Sequence, residues 1–446
     1  MTPEDVSSGT VSERVTVRRM LALTLSAFLV LAAEPLYLLV DTAVVGHLGA
    51  HDLGALAVGT TLMALLAIVG TFVEYGTTAR AARWFGNGRT DRAVAEGVQA
   101  SYLAIVIGVV VVAVGQLAAD PLVGLLTGSS SLHDPAEHWF RIALCGMPMV
   151  LLVLAGNGWM RGIQLTRAPV VIVLVANGLS AAACPILVYP VGLGLVGSAW
   201  ANLGAQVVAG LLFLLALRQE AARHGSSLAP HPEVMRAQLV LGRDLIVRAA
   251  AFQAAFMVAA GVATRMGTAQ IAAHQIGMQL WEFTALLLDS FAIAAQSLVG
   301  AALGASNAHA ARRLAGQVAR WSLGAGTAFA ALYAAGWWVI PRLFTSSPAV
   351  WHQAHVLWPW FVVMLPAAGI VFGLDGVLIG AGDVAFMRTI TIVAALGGFV
   401  PITLAAAHWH WGIGGVWAGL TAFILVRLVG MVWRTRGDRW VVLGSG

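Results

Sequence analysis

The chain has 446 residues, is 59% hydrophobic and only 10% charged, and carries a formal net charge of +5. A soluble domain carries about 25% charged residues, so a globular enzyme is excluded and a polytopic membrane protein is expected. All 25 basic residues are arginine, which removes a Walker A lysine and a Schiff-base lysine.

In chain order, Met1–Thr16 is short and polar and lacks a cleavable signal pattern. The first helix is therefore expected to remain as a signal anchor. A helical span needs roughly 20 apolar residues. On that basis twelve spans are expected, at 20–46, 53–77, 94–118, 140–160, 169–189, 195–217, 245–265, 268–300, 320–340, 354–379, 388–408 and 412–433. Prolines 35, 148, 185, 366 and 401 fall in or at the ends of spans. Transporter helices tolerate such breaks where they line cavities. No large extramembrane domain is left over. Cys145 and Cys184 lie in apolar stretches and form neither a disulfide framework nor a metal-ligand spacing.

The arginines predict the orientation. With the N-terminus inside, only Arg141, Arg265 and Arg342 fall on the outer side. The inner segments take the rest, among them Arg80, Arg83, Arg161, Arg248, Arg388 and Arg427. The positive-inside rule then makes both termini cytoplasmic. The basic charge serves topology, and no nucleic-acid partner is expected.

The chain repeats itself at a shift of 218 residues, which pairs Gly49 with Gly267, Gly59 with Gly277 and Gly86 with Gly304. The same shift pairs Pro148 with Pro366, Gly158 with Gly376, Gly162 with Gly380 and Gly194 with Gly412. Each half holds six spans, an even number, so the repeats are parallel about an axis along the membrane normal. The expected fold is an all-α integral membrane protein of two six-helix bundles related by that pseudo-two-fold axis. The halves are residues 1–217 and 244–446, joined by a cytoplasmic linker at 218–243.

A carboxylate within an apolar span is costly and marks function by default, at about 2.5–3.5 kcal/mol on insertion scales. Asp41 is such a group, in the stretch Glu34-Pro35-Leu36-Tyr37-Leu38-Leu39-Val40-Asp41. Desolvation favours the neutral acid, so Asp41 could exchange a proton. Glu34, seven residues earlier, shares its helix face and reads as a second proton site, a cavity-lining charge or a structural partner. An ion gradient is the simplest energy source for a chain with no nucleotide site. No cofactor and no bound metal are expected.

The Asp41 stretch, the matching turn at Met266-Gly267 and the run Trp159-Met160-Arg161-Gly162 resemble one family. Gly242-Arg243-Asp244, Leu288-Asp289-Ser290 and Leu374-Asp375-Gly376-Val377 agree with it. The resemblance is to multidrug and toxic compound extrusion (MATE) transporters of the DinF-like branch, over about residues 18–435. It implies two bundles around a central cleft, alternating access, and export of amphipathic, often cationic, compounds for protons or sodium ions. It also implies that Asp41 is the coupling carboxylate of the N-terminal half. The branch usually has an asparagine and an aspartate on the fifth span and a threonine on the sixth. Here those positions are Ser180, Cys184 and Asn202. The missing aspartate favours protons, because a hard cation wants oxygen ligands.

Asn177 lies one turn before Ser180 and joins Ser180, Cys184 and Asn202 as a cavity-lining candidate; such residues also simply join helices. In the C-terminal half the candidates are Gln253, Glu282, Asp289 and Asp375. Asp375 lies where another branch keeps a coupling carboxylate. Asp289 is expected in a structural role, with Arg248 or Gln253 as partner. Glu74 and Arg80 read as a gate pair or as a solvated, snorkelling pair.

The expected protein is a proton-coupled efflux antiporter in the cell membrane, probing no partner beyond lipid and small amphipathic substrates and acting as a monomer. The alternatives are sodium coupling, or a flippase or metabolite exporter of related fold. A flippase would favour inward-facing arginines in a cleft. An intramembrane enzyme would need a nucleophile–base or metal cluster.

Overall fold

The computed structural model describes residues 13–128 and 131–444. Residues 1–12 of the polar stretch Met1–Thr16 lie outside the described residues, as does the side chain of Arg14. Every element is helical: α1 (Glu13–Gly46), α2 (Ala50–Gly86), α3 (Thr90–Thr127), α4 (His133–Leu144), α5 (Met147–Gly162), α6 (Arg167–Val188) and α7 (Leu195–His224), then α8 (Pro232–Met266), α9 (Thr268–Gly304), α10 (Ala308–Ala335), α11 (Ile340–Phe344), α12 (Pro348–Gly380), α13 (Val384–Val393), α14 (Val400–His408) and α15 (Gly412–Arg436).

Among the described residues, ten helices are long and apolar enough to cross a membrane. The expected span at 140–160 is instead a bent pair, α4 and α5, meeting at 49° and making an eleventh crossing. Pro148, near the start of α5, has no backbone N–H to offer the preceding turn. The 28 residues of α10 span about 42 Å, enough for a twelfth crossing, though its sequence is less apolar. The span expected at 388–408 is interrupted by a π-helical segment, Ala394–Phe399, just before Pro401.

The chain divides into two compact units, Met1–Gly242 and Arg243–Gly444. The irregular stretch near their boundary is shorter than 218–243. Helix α7 runs on to His224 and ends at Gly225 in the left-handed conformation (φ 65°), and α8 starts at Pro232.

The 218-residue repeat is written into the backbone. Five pairs of residues at that shift have positive φ: Gly49 and Gly267, Gly88 and Ser306, Gln164 and Gly382, Gly192 and His410, Gly194 and Gly412. Gln164 (62°), Ser306 (56°) and His410 (57°) are the non-glycine residues with positive φ among the described residues. Each stands where the other half has glycine. The turn geometry is therefore set by the repeat, and these side chains tolerate a conformation that favours glycine.

Helix contacts repeat in the same way. A Cβ on Gly158 of α5 would lie 2.5 Å from the Glu74 carbonyl oxygen of α2. One on Gly376 of α12 would lie 2.0 Å from the Ala292 carbonyl oxygen of α9. The next turns repeat the pattern, with Gly162 against Thr78 and Gly380 against Gln296. Small residues four apart let two backbones approach closely, the packing that apolar helices use in lipid. In the first unit the core gathers Val30 and Ala33 of α1, Trp159 of α5, Ile172 of α6 and Phe213 of α7. That packing holds α1, α6 and α7 together.

Candidate functional site

The site in the first unit forms where α1, α6 and α7 meet. A small apolar cluster of Cys184, Val188 and Ala201, with Val44 and Leu48 against it, closes one end. Tyr189 donates its hydroxyl to the Val44 carbonyl at 2.6 Å and ties the end of α6 to α1. Asp41 is 1% exposed. The Cys184 thiol donates to Asp41 Oδ1 at 3.1 Å. Asp41 Oδ2 is buried and has no hydrogen-bond partner among the described residues, and the same holds for Ser180 Oγ.

Tyr37 belongs to this group and was not singled out from the sequence. It is buried, one helical turn before Asp41 on the same face of α1. Asn202 Nδ2 donates to its hydroxyl at 3.3 Å, and Ser180 stands near the same hydroxyl, outside hydrogen-bond geometry. The i, i+4 spacing to Asp41 was the available signal. The structure thus brings Asp41, Ser180, Cys184 and Asn202 together around Tyr37. Glu34 is exposed on α1 and makes no hydrogen bond to this group. Asn177 is half-buried and makes none either.

This arrangement can carry a proton. An unpaired buried carboxylate is costly, and a proton neutralises it. It is a poor cage for a hard cation, because the thiol of Cys184 occupies a ligand position where an oxygen would serve better.

The second unit places Asp375 elsewhere in chemical terms. Asp375 is 5% exposed. Arg427 Nη2 donates to both of its oxygens at 2.7 Å, and Arg248 Nη2 donates to Oδ2 at 2.7 Å. Both oxygens of this carboxylate are thus engaged by guanidinium groups. Arg248, one of the two partners expected for Asp289, is engaged with Asp375. Asp289 is half-buried, and Gln253 and Glu282 are exposed on the unit's helices. Arg427 and Arg161, expected in inner segments, lie buried within α15 and α5. An arginine within an apolar run was the signal for both.

The expected pairing of Glu74 with Arg80 is corrected. Glu74 pairs with Arg161 of α5 in a buried ion pair. Arg80 forms a two-point contact with Glu96 of α3, Nε to Oε2 at 2.8 Å and Nη2 to Oε1 at 2.7 Å. Six residues along a helix turn the two side chains to different faces, whereas the neighbouring helices supply partners directly. Gln238 Nε2 also donates to Glu96 Oε2 at 2.8 Å.

One group of metal-ligating type escaped the sequence reading. Asp120, His133 and Glu137 bring ligand atoms within 4.8 Å of one another at the α3–α4 corner. Their charges are already matched, His133 Nε2 to Asp120 at 3.3 Å and Glu137 to Arg141 at 2.6 Å.

Comparisons with known proteins bear on the family and the fold. The MatE family model matches residues 26–186 and 245–403. Protein DETOXIFICATION 44, chloroplastic, of Arabidopsis thaliana is 30% identical over 443 residues, covering 96% of this chain and 84% of that protein. DNA damage-inducible protein F of Escherichia coli (strain K12) is 30% identical over 423 residues, covering 91% and 90%. A multidrug resistance MATE family transporter of the MOP superfamily, solved in an outward-facing conformation, superposes with a TM-score of 0.86 at 21% identity, covering 94% of this chain and 96% of that one. A MOP superfamily transporter from Pyrococcus furiosus gives 0.84 at 20% identity with the same coverage. At such identity the solved structures speak for the fold alone.

Proposed function

We propose, on the premise that this chain belongs to the MATE family of transporters, that it exports amphipathic, often cationic, compounds in exchange for protons. Asp41 is the coupling carboxylate in this reading, and alternating access carries the cargo. Family members are transporters, not enzymes.

The observation that carries the reading is the buried Asp41 carboxylate with a single thiol donor and one oxygen left without a partner. Loading a proton removes the penalty of that unpaired charge and unloading restores it. The proline at position 35, inside α1 and close to Tyr37, supplies a point at which the helix bends when the charge changes. A ligand that prefers one of two helix shapes shifts their populations, which is what coupling requires. The thiol at position 184 supports protons over sodium.

The arginine asymmetry supports a cell-membrane protein with both termini cytoplasmic. A monomer with one pathway is the simplest working unit. The test is efflux of a fluorescent cationic dye from proteoliposomes under an imposed proton gradient, with wild type beside Asp41→Asn. Gradient-driven efflux that the substitution abolishes supports the reading. Efflux that answers only to a sodium gradient, or that survives Asp41→Asn, overturns it.

A further inference from the structure

In the second unit two arginines share one buried carboxylate. Arg427 is 1% exposed, and the Arg248 side chain is 15% exposed. Both guanidinium groups converge on one carboxylate, Asp375. Each guanidinium offers five N–H donors, yet among the described residues their side-chain hydrogen bonds are the three to Asp375. The Nε groups of Arg248 and Arg427 are both buried without an acceptor among the described residues. The next acid along α8, Asp244, is already engaged by Arg388 at 2.6 Å and Arg243 at 3.3 Å. Phe252 lies under both guanidinium groups, 5.3 Å from Arg248 and 4.6 Å from Arg427, and Phe423 lies 5.8 Å from Arg427.

Two cations, one anion and two unsatisfied donors leave a net charge of +1 in a low-polarity setting. Aromatic faces soften a cation but accept no N–H in the guanidinium plane. An oxyanion would supply what is missing. A carboxylate or phosphate matches the guanidinium edge, and charge-assisted bonds of that kind are roughly twice as strong as neutral ones. Arg248, the less buried of the pair, presents the entry. The ring of Phe252, packed edge-on against Phe423 with centroids 5.2 Å apart, offers an apolar wall beside it.

We propose that Arg248 and Arg427, poised by Asp375, form an oxyanion site for an amphipathic molecule, the carboxylate of a transported compound or the phosphate of a lipid headgroup. In this arrangement Asp375 is an internal competitor that holds the arginines ready. The site is independent of coupling through Asp41, so it stands or falls apart from the efflux mechanism.

The experiment measures thermal stabilisation of the delipidated full chain in neutral detergent. The probes are 2-naphthoate, 2-naphthylmethylamine of matching shape and opposite charge, and short-chain phosphatidylglycerol. Saturable stabilisation by 2-naphthoate, absent with the amine, is expected, with apparent affinity at least about tenfold weaker in Arg248→Gln. Stabilisation by phosphatidylglycerol that follows the same Arg248 dependence assigns the site to a lipid headgroup. Asp375→Asn, which removes the competitor, is expected to tighten binding of either anion, and it keeps the test sharp if Arg248→Gln folds poorly. Anion effects that are identical in wild type, Arg248→Gln and Asp375→Asn, or equal stabilisation by the amine, overturn the proposal.

Discussion

Cys184 donates its thiol to Asp41 across 143 residues of sequence, at 3.1 Å, on a carboxylate of α1 that the fold buries. The pair defines the chemistry of the site, because sulfur is a weak donor and a poor ligand for a hard cation.

Cys184→Asp should therefore change the ion preference. A second carboxylate beside Asp41, with Ser180 and Tyr37 close by, offers an oxygen-rich site. Dye efflux under an imposed sodium gradient is expected to be several-fold higher than in wild type. Cys184→Ala should leave sodium without effect. Sodium-driven efflux in the alanine variant equal to that in the aspartate variant would show that the added carboxylate is not what admits sodium.

Glu74 and Arg161 form a buried pair whose side chains are 9% and 4% exposed. Removing one partner leaves an uncompensated charge, at about 3–5 kcal/mol. Arg161→Leu and Glu74→Leu are each expected to lower the melting temperature in detergent strongly. The double variant should recover much of the loss, because an apolar pair can replace a buried ion pair at little cost.

Close helix contacts should reject any added carbon. Gly376→Ala puts a Cβ 2.0 Å from the Ala292 carbonyl oxygen, a backbone atom that cannot rotate away. A cost of about 1–3 kcal/mol is expected, read as a lower melting temperature. Gly204→Ala, with no atom within 4 Å of the new methyl group, should melt close to wild type or slightly above it.

Ser306 adopts φ 56° where its repeat counterpart is Gly88 at 73°. A non-glycine residue in this region costs roughly 1–2 kcal/mol, partly offset by the greater freedom that glycine loses on folding. Ser306→Gly is expected to stabilise by about 0.5–1 kcal/mol, whereas Gly88→Ser should destabilise. Equal melting temperatures for the two variants would show that the turns are relaxed by their surroundings.

Fold class, the two-fold repeat and the placement of Asp41 within an apolar helix were readable from the chain. A membrane helix must satisfy its backbone internally, so apolar run length reports spans, and paired glycines and prolines report recurring turns. The bend between Leu144 and Met147 and the π segment before Pro401 were less visible, because proline marks a break without giving its angle. What only the tertiary structure decided was partnership. Arg80 chose Glu96 rather than Glu74, Arg248 and Arg427 met on Asp375, and Tyr37 joined the Asp41 group through its contact with Asn202 of α7. The backbone of the repeat is symmetric, but its charges are not. Asp375 matches Asn157 and Arg427 matches Ala209 at the same shift. Local sequence determines where helices form and turn; which buried charges meet depends on which helix faces pack together across more than a hundred residues, and that is settled only by the packed fold.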